Sequence, residues 1–444
     1  MNRPRVAQTS KSAVSPQVSG HGARRRRFDP LVTGLSCGSG DVSDFNFAVA
    51  RCYPPGMNSG KYVLTQLLDW IHPEHFKRCV ARYHGDAKVS QFSCWSQFVC
   101  LAFAQLTWRE SLRDIEACLN SRHHQLYHLG LRGPVHRTTL ADANEQRDWR
   151  IYADLAHGLL HQARALYAHD PLRVELDEVV YALDASVIDL GLRLCPWARF
   201  DRERAAVKLH TQLDLRGALP AAVQITPATT PEVTWLDTLT FEPGAFYLMD
   251  RGYVDYGRLH AIERARAWYV TRAKRRMRYC RLHSHPVDKA TGLRSDQTIS
   301  LTGFYAAQDY PDKLRRVRIY DAEHTRSLVF LTNHFALPAL VVAQLYQQRW
   351  QVELFFKWLK QHLRIKAFYG RSENAVRTQL WVALCVYALV ALVRKQVKSE
   401  ASLFEILQVL SVSVFDKTPV ATLFAEATPQ SDGGDLQKHL CLWA

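Results

Sequence analysis

From residue 61 to about residue 168 the apolar positions recur with a helical period. Val63, Leu64, Leu67, Leu68 and Ile71 stand at i, i+3 and i+4 spacings, the mark of an amphipathic helix. Pro73 suits the first turn of a second helix, with Phe76, Val80 and Tyr83 on one side. Residues 92–106 are almost wholly apolar or small, which predicts a central helix. Ser111 with Asp114, and Thr139 with Asp142, both read as N-terminal capping pairs. Gly130, Gly133 and Pro134 separate the two short helices these pairs open, a layout compatible with a DNA-reading helical pair. The connector is long for a helix-turn-helix, and a plain helical bundle fits equally well.

Past Pro171 the period shortens to that of strands. Val179-Val-Tyr-Ala-Leu-Asp184 is an apolar run closing on an acid, and Phe246-Tyr-Leu-Met-Asp250 repeats the arrangement. Between them, Lys208-Leu-His-Thr-Gln-Leu-Asp214 and Ala221-Ala-Val-Gln-Ile225 read as further strands. Residues 255–266 return to helix, and 267–282 and 298–334 alternate as strands. One long helix is predicted from about 338 to 363 and another over 374–397. The pattern predicts an all-α region over 57–170 and an α/β domain over 171–398 with a β-rich insertion at about 267–335. A helical segment over 399–444 ends the chain. Residues 1–56, rich in Ser, Gly and Pro with four arginines at 24–27, offer no periodic apolar face and are expected to be a disordered basic tail.

Charge narrows the choice of partner. The chain carries a formal +15. Eight basic and three acidic residues put +5 of it in the tail, so most of the excess belongs to the folded part. A balance of this size points first to nucleic acid. The ten cysteines are scattered without a Cys-x-x-Cys pair, as expected for reduced thiols of a cytoplasmic protein. The longest apolar run, 380–393, falls short of the roughly 20 residues that span a bilayer, and reads as a buried helix.

Acids at the ends of strands lie where α/β folds keep their sites. Cleaving a phosphodiester means neutralising charge on attacking and leaving oxygens, which two Mg²⁺ ions about 4 Å apart accomplish when carboxylates hold them. Asp184 and Asp250 are candidates for that work, although such an acid is commonly a cap or turn residue. Tyr346, Arg349, Glu353 and Lys360 project within a stripe about 60° wide on a continuous helix, opposite Val352, Phe355, Phe356 and Leu359. An ordinary solvated amphipathic face has the same look.

Those four residues spell Tyr-x2-Arg-x3-Glu-x6-Lys without a gap, and this run resembles the signature of IS4-type insertion-sequence transposases of the DDE group. Leu183-Asp184-Ala-Ser and Asp250-Arg-Gly-Tyr253 resemble the segments around that family's two aspartates, in the same order. Residues 57–168 resemble the amino-terminal region of a subset of these transposases. The resemblance implies an RNase H-like catalytic core. It implies that Asp184, Asp250 and Glu353 hold two Mg²⁺ ions, for which Mn²⁺ can substitute, and that Tyr346, Arg349 and Lys360 contact DNA phosphates. It further implies a dimer that pairs the element's terminal inverted repeats near the nucleoid and moves DNA by cut-and-paste through hairpin ends. In that scheme water attacks first, and the freed 3′-OH then attacks a target strand. Asp177, Asp189 and Asp255 are neighbouring acids that compete for the aspartate roles.

The expected DNA surface comes from the insertion. Arg272, Lys274, Arg275, Arg276, Arg278 and Arg281 are followed by Lys313, Arg315, Arg316 and Arg318. Phosphate contacts of this kind give affinity without sequence information. In relatives an aromatic of the insertion holds a flipped base, and Trp268 is a candidate for that role. The pairs His157/His161 and His283/His285 lack a third ligand at zinc spacing. Two rivals remain at this point: a metal-dependent nuclease or resolvase that cuts without joining, and a decayed DNA-binding protein without catalysis.

Overall fold

A computed structural model describes residues 60–425, apart from 173, 192–194, 200, 202, 203 and 323. The tail assigned to 1–56 and the last part of the C-terminal segment, 426–444, lie outside the described residues.

Helices come first: α1 (Val63–Leu68), α2 (Pro73–Arg82), α3 (Cys94–Leu106), α4 (Leu112–Asn120), α5 (His123–Leu126), α6 (Arg137–Gln146) and α7 (Arg150–Tyr167). Ser93 and Ser111 cap α3 and α4 by accepting from the backbone N–H of Ser96 and Asp114. The second predicted capping pair is corrected: α6 begins at Arg137, so Thr139 lies inside it. Asn120 clamps the backbone of Val135 with two hydrogen bonds of 2.8 Å, which fixes the entry and lets the helix start directly afterwards.

The sheet is built from β1 (Val180–Leu190), β2 (Ala205–Asp214), β3 (Leu219–Pro227), β4 (Phe246–Met249), β5 (Trp268–Arg272), β6 (Tyr279–His285), β7 (Leu293–Leu301), β8 (Leu314–Asp321) and β9 (Arg326–Thr332), interrupted by α8 (Tyr256–Arg264) and α9 (Phe304–Asp309). Its nine strands run in the order β3-β2-β1-β4-β5-β9-β8-β7-β6. β1, β4 and β5 are parallel neighbours, whereas β2, β3 and the four strands from β6 to β9 join antiparallel. Alternation sorts the central side chains to two cores. Val180, Ala182, Phe246, Leu248 and Val270 meet one apolar cluster, and Tyr181, Leu183, Tyr247, Met249 and Tyr269 meet the other. Both faces are covered, which is why these strands read as continuous apolar runs.

Four further helices and a short fifth complete the described residues: α10 (Ala339–Gln348), α11 (Trp350–His362), α12 (Glu373–Val397), α13 (Leu403–Ser413) and α14 (Val420–Ala425). The single helix expected over 338–363 is broken at Arg349. There the N–H of Arg349 bonds Tyr346 O and that of Val352 bonds Arg349 O, both at 3.1 Å, tightening the turn to an i→i−3 pattern. α12 is long and apolar enough to cross a membrane by length, but 94% of its apolar window is buried against the rest of the protein. α3, α7 and α12 share one core with the sheet, and Tyr167 on α7 donates to Ala391 O at 2.9 Å.

The insertion holds one surprise for charge counting. Arg315 is buried on β8, where it pairs with Asp296 through Nε at 2.9 Å and a second nitrogen at 2.7 Å, and donates to the carbonyls of 334, 335 and 337. It is a structural tie between β7, β8 and the exit of β9, and is withdrawn from the expected DNA surface. Arg315→Ala should cost about 3 kcal/mol, because Asp296 would keep its charge in the interior without a partner. Chemical denaturation with DNA affinity measured alongside checks this: stability should fall while affinity of the folded protein stays close to wild type.

Candidate active site

Asp184 does not end its strand. β1 continues to Leu190 in antiparallel pairing with β2, while its parallel pairing to β4 stops at Leu183↔Met249. Asp184 and Asp250 therefore occupy the next position on two adjacent parallel strands, about 5 Å apart in backbone spacing. By alternation both continue the Val180, Ala182 and Phe246, Leu248 face, the face on which α11 packs against β1. This brings the two aspartates under Glu353 in the first turn of α11.

Arg349 joins the parts. Its guanidinium pairs with Glu353 Oε1 through one terminal nitrogen and lies 3.6 Å from Asp184 Oδ2 through the other. The arginine is 8% exposed, so the stripe read as a possible solvated face is in fact turned inward at this position. Tyr346 is buried too, with its ring 4.9 Å from Phe330 and the Arg349 guanidinium 5.7 Å from the ring centre. Lys360 departs from the group: half-buried, with its pKa lowered by burial, it faces the charges of Asp189 and Lys366.

Electrostatics mark the site as short of positive charge. Burial pushes the Asp184 carboxyl up to about 7, Glu353 and Asp250 push the same way, and Arg349 and the Ala185 N–H oppose them. Asp250 accepts from Gly252 N at 2.7 Å, and its carbonyl accepts from Thr271 Oγ1 at 3.0 Å. A Cβ at Gly252 would stand 3.0 Å from Asp250 Oδ1, so glycine leaves this carboxylate room to turn back on its own loop. Oxygen ligands, shared negative charge and poor solvation suit a hard divalent cation. Among the described residues no three acid, histidine or cysteine side chains are gathered closely enough to cage an ion, and here Arg349 stands between two of the acids.

The competing acids have other employment. Asp255 caps α8 by accepting from Arg258 N and pairs with the Arg258 side chain at 3.0 Å. Asp177 is exposed before β1, and Asp189 is exposed near the far end of β1. Trp268, the expected base-holding aromatic, lies on β5, half-buried, with its ring 4.8 Å from His334. Among the basic residues, Lys274, Arg275, Arg276, Arg278, Arg281, Lys313 and Arg318 are exposed, whereas Arg272 is half-buried and Arg316 lies over the Tyr279 ring at 5.0 Å.

Sequence reasoning named Tyr253 only as the end of the Asp250 motif and gave Thr211 no role. Both are fully buried with hydroxyls that lack a partner among the described residues; Thr211 is the cross-strand neighbour of Asp184.

Comparison with known proteins places the chain among relatives. A family model described as a transposase DDE domain matches residues 175–389, and one described only as a domain of unknown function matches residues 59–132. A putative transposase, y4zB, of Sinorhizobium fredii is 32% identical over 288 residues, covering 64% of this chain and 79% of the relative. A probable transposase for insertion sequence element IS5377 of Geobacillus stearothermophilus is 30% identical over 243 residues, 54% of this chain and 61% of the relative. A putative transposase for element IS4SA of Synechocystis is 21% identical over 276 residues, 60% and 74% of the two chains. The matched domain begins just before β1 and ends within α12, enclosing all three acids and the arginine between them, and the chain belongs to the DDE-domain transposases of insertion sequences.

Proposed function

We propose that this transposase is of the IS4 type and that Asp184, Asp250 and Glu353 are its metal ligands, with Tyr346, Arg349 and Lys360 serving the DNA backbone. The observation that carries the reading is the convergence of the three acids on one face of the sheet, two from adjacent parallel strands and one from α11, around a shared arginine. The strand order β3-β2-β1-β4-β5, with the first three antiparallel and the last two parallel to β1, supports an RNase H-like core. Two Mg²⁺ ions, or Mn²⁺ in their place, would supply Lewis acidity toward the attacking and leaving oxygens.

The protein's own residues do the remainder. Asp184 and Asp250 are fixed by strand register, so their spacing survives the arrival of substrate. Burial around Asp184 strengthens every charge contact made there. The exposed cations of the β5–β6 loop and of β6 offer a sequence-independent hold on phosphates. The substrates are the terminal inverted repeats of the element and the target DNA, engaged by a dimer in a paired-end complex.

The test is a two-step assay on a duplex carrying the element's end, identified from repeats flanking the coding region. Cleavage followed by joining to a target plasmid in Mg²⁺ is the expected result. Cutting without joining would favour a nuclease or resolvase, and neither activity a DNA-binding remnant. Lys360→Ala should weaken end binding by roughly tenfold, the worth of one charge-assisted contact, with little change in melting temperature. An unaltered binding isotherm would remove Lys360 from the DNA path.

A further inference from the structure

Arg349 makes two contacts that compete with the role just assigned to its neighbours. One terminal nitrogen pairs with Glu353 and the other lies 3.6 Å from Asp184, so a single guanidinium sits between two of the three acids. Its side chain is 10% exposed, against 18% for Asp184 and 29% for Glu353, so water screens the cluster poorly. A guanidinium left in place would repel incoming divalent ions at short range and occupy the oxygens they need.

The bridge is also incomplete. Arg349 Nε is buried and has no partner among the described residues. An arginine presents its donors as a planar fork, and a phosphate can take two at once. The bridge to Asp184 and Glu353 engages the terminal nitrogens and leaves the Nε edge over. Nε and one terminal nitrogen together fit a phosphate, which would satisfy the orphaned donor and draw the cation off the acids.

We propose that Arg349 is the site's placeholder cation: without DNA it neutralises Asp184 and Glu353 and holds them together, and it is released to a DNA phosphate when an element end binds, opening the acids to metal. The proposal rests on the preceding metal-site reading and adds an order to it. Arg349 is thus a positioning residue for the two acids before it is a DNA contact. Linkage requires the coupling to be mutual: DNA tightens metal binding, and metal tightens DNA binding by the same factor. A transposase built this way keeps a cutting site metal-poor until a phosphate backbone lies across it.

The probe is Mn²⁺ alone, its free concentration followed by electron paramagnetic resonance, on the full chain with and without a duplex bearing the element end. In the wild type, adding the duplex should raise Mn²⁺ affinity about tenfold or more. Arg349→Gln, which keeps the size and loses the charge, should bind Mn²⁺ more tightly than wild type without DNA, on the order of tenfold to a hundredfold. The duplex should then add little further affinity. Its melting temperature without metal should drop and recover on adding Mn²⁺, whereas Arg349→Lys, which keeps the charge but loses the planar fork, should fall between wild type and Arg349→Gln in both readouts. Should Arg349→Gln fail to fold, the wild-type and Arg349→Lys titrations still decide. Mn²⁺ affinity that DNA leaves unchanged in the wild type, or that Arg349→Gln leaves unchanged or weakens, overturns the proposal. Identical Mn²⁺ binding by wild type and Asp184→Asn, with and without DNA, overturns the metal-site reading itself and this proposal with it.

Discussion

Replacing any one of Asp184, Asp250 or Glu353 by alanine should lower strand cleavage by roughly a thousandfold or more, since several kcal/mol of charge stabilisation depends on each ligand. Binding to the element end should persist, because the exposed cations at 274–281 are untouched. The three variants should differ in stability. Asp184 is more confined than Glu353, with a carboxyl already pushed up to about 7 by burial, so Asp184→Ala relieves part of a desolvation cost and should melt close to wild type. Glu353→Ala removes the partner of a buried arginine and should melt lower. Gel-based cleavage, filter binding and thermal melts on the same preparations check all three statements. A variant that cuts at near wild-type rate would show that its residue had been assigned wrongly.

Phe355→Ala is expected to act in the opposite sense, with a loss of about 3–5 kcal/mol of stability. Phe355 is 3% exposed on α11, with ring centres 5.5 Å from Phe356 and 5.1 Å from Tyr387 of α12. It forms the joint that holds α11, and so Glu353, against the central helix. Truncation leaves a cavity between two helices that both continue to be held elsewhere, which limits collapse and sets the cost near the upper part of the range. Denaturant unfolding measures it. Protein that remains folded at low temperature should still cleave, more slowly and with a steeper loss on warming. A change below about 1 kcal/mol would mean that the two helices close the cavity and are not held apart.

The parts of the fold most legible in the sequence were those where a single segment carries its whole reason. α3 and α12 show as apolar blocks, and β4 and the first four residues of β1 as short apolar runs, because each is buried on every side it presents; the half-buried continuation of β1 past Asp184 did not show. Where the reason lies on another segment, the pattern misleads. Arg315 was read with the cations around it, Lys313, Arg316 and Arg318, and its partner Asp296 sits on the neighbouring strand. The helical wheel grouped Arg349 with Tyr346 and Glu353 as the structure does, but could not show that the stripe is turned inward at Arg349. The break at that residue and the acid of β1 beneath it are tertiary facts. Thr139 looked like a cap because nothing local reveals that Asn120 already fixes the start of α6. The candidate site was legible through the spacing of its acids and the resemblance of its motifs. Thr211 and Tyr253 were not, since an unpaired hydroxyl has no sequence signature.

The position of α12 bears on how the protein is made. Trp149 stacks on Trp381 at 6.4 Å, Cys385 lies against the backbone of Tyr152, and Tyr167 reaches Ala391, so helices made early lean on one made more than two hundred residues later. A ribosome emits the chain from its N-terminus at roughly 5–20 residues per second, so those apolar faces wait ten seconds or more for their partner. During that interval α3 and α7 are natural clients of chaperones. A chain terminated before α12 has no way to close its core, so incomplete translation yields material for proteolysis and no partially competent enzyme. Synthesis through α12 is in this sense a condition for closing the core, imposed by the order in which its pieces leave the ribosome.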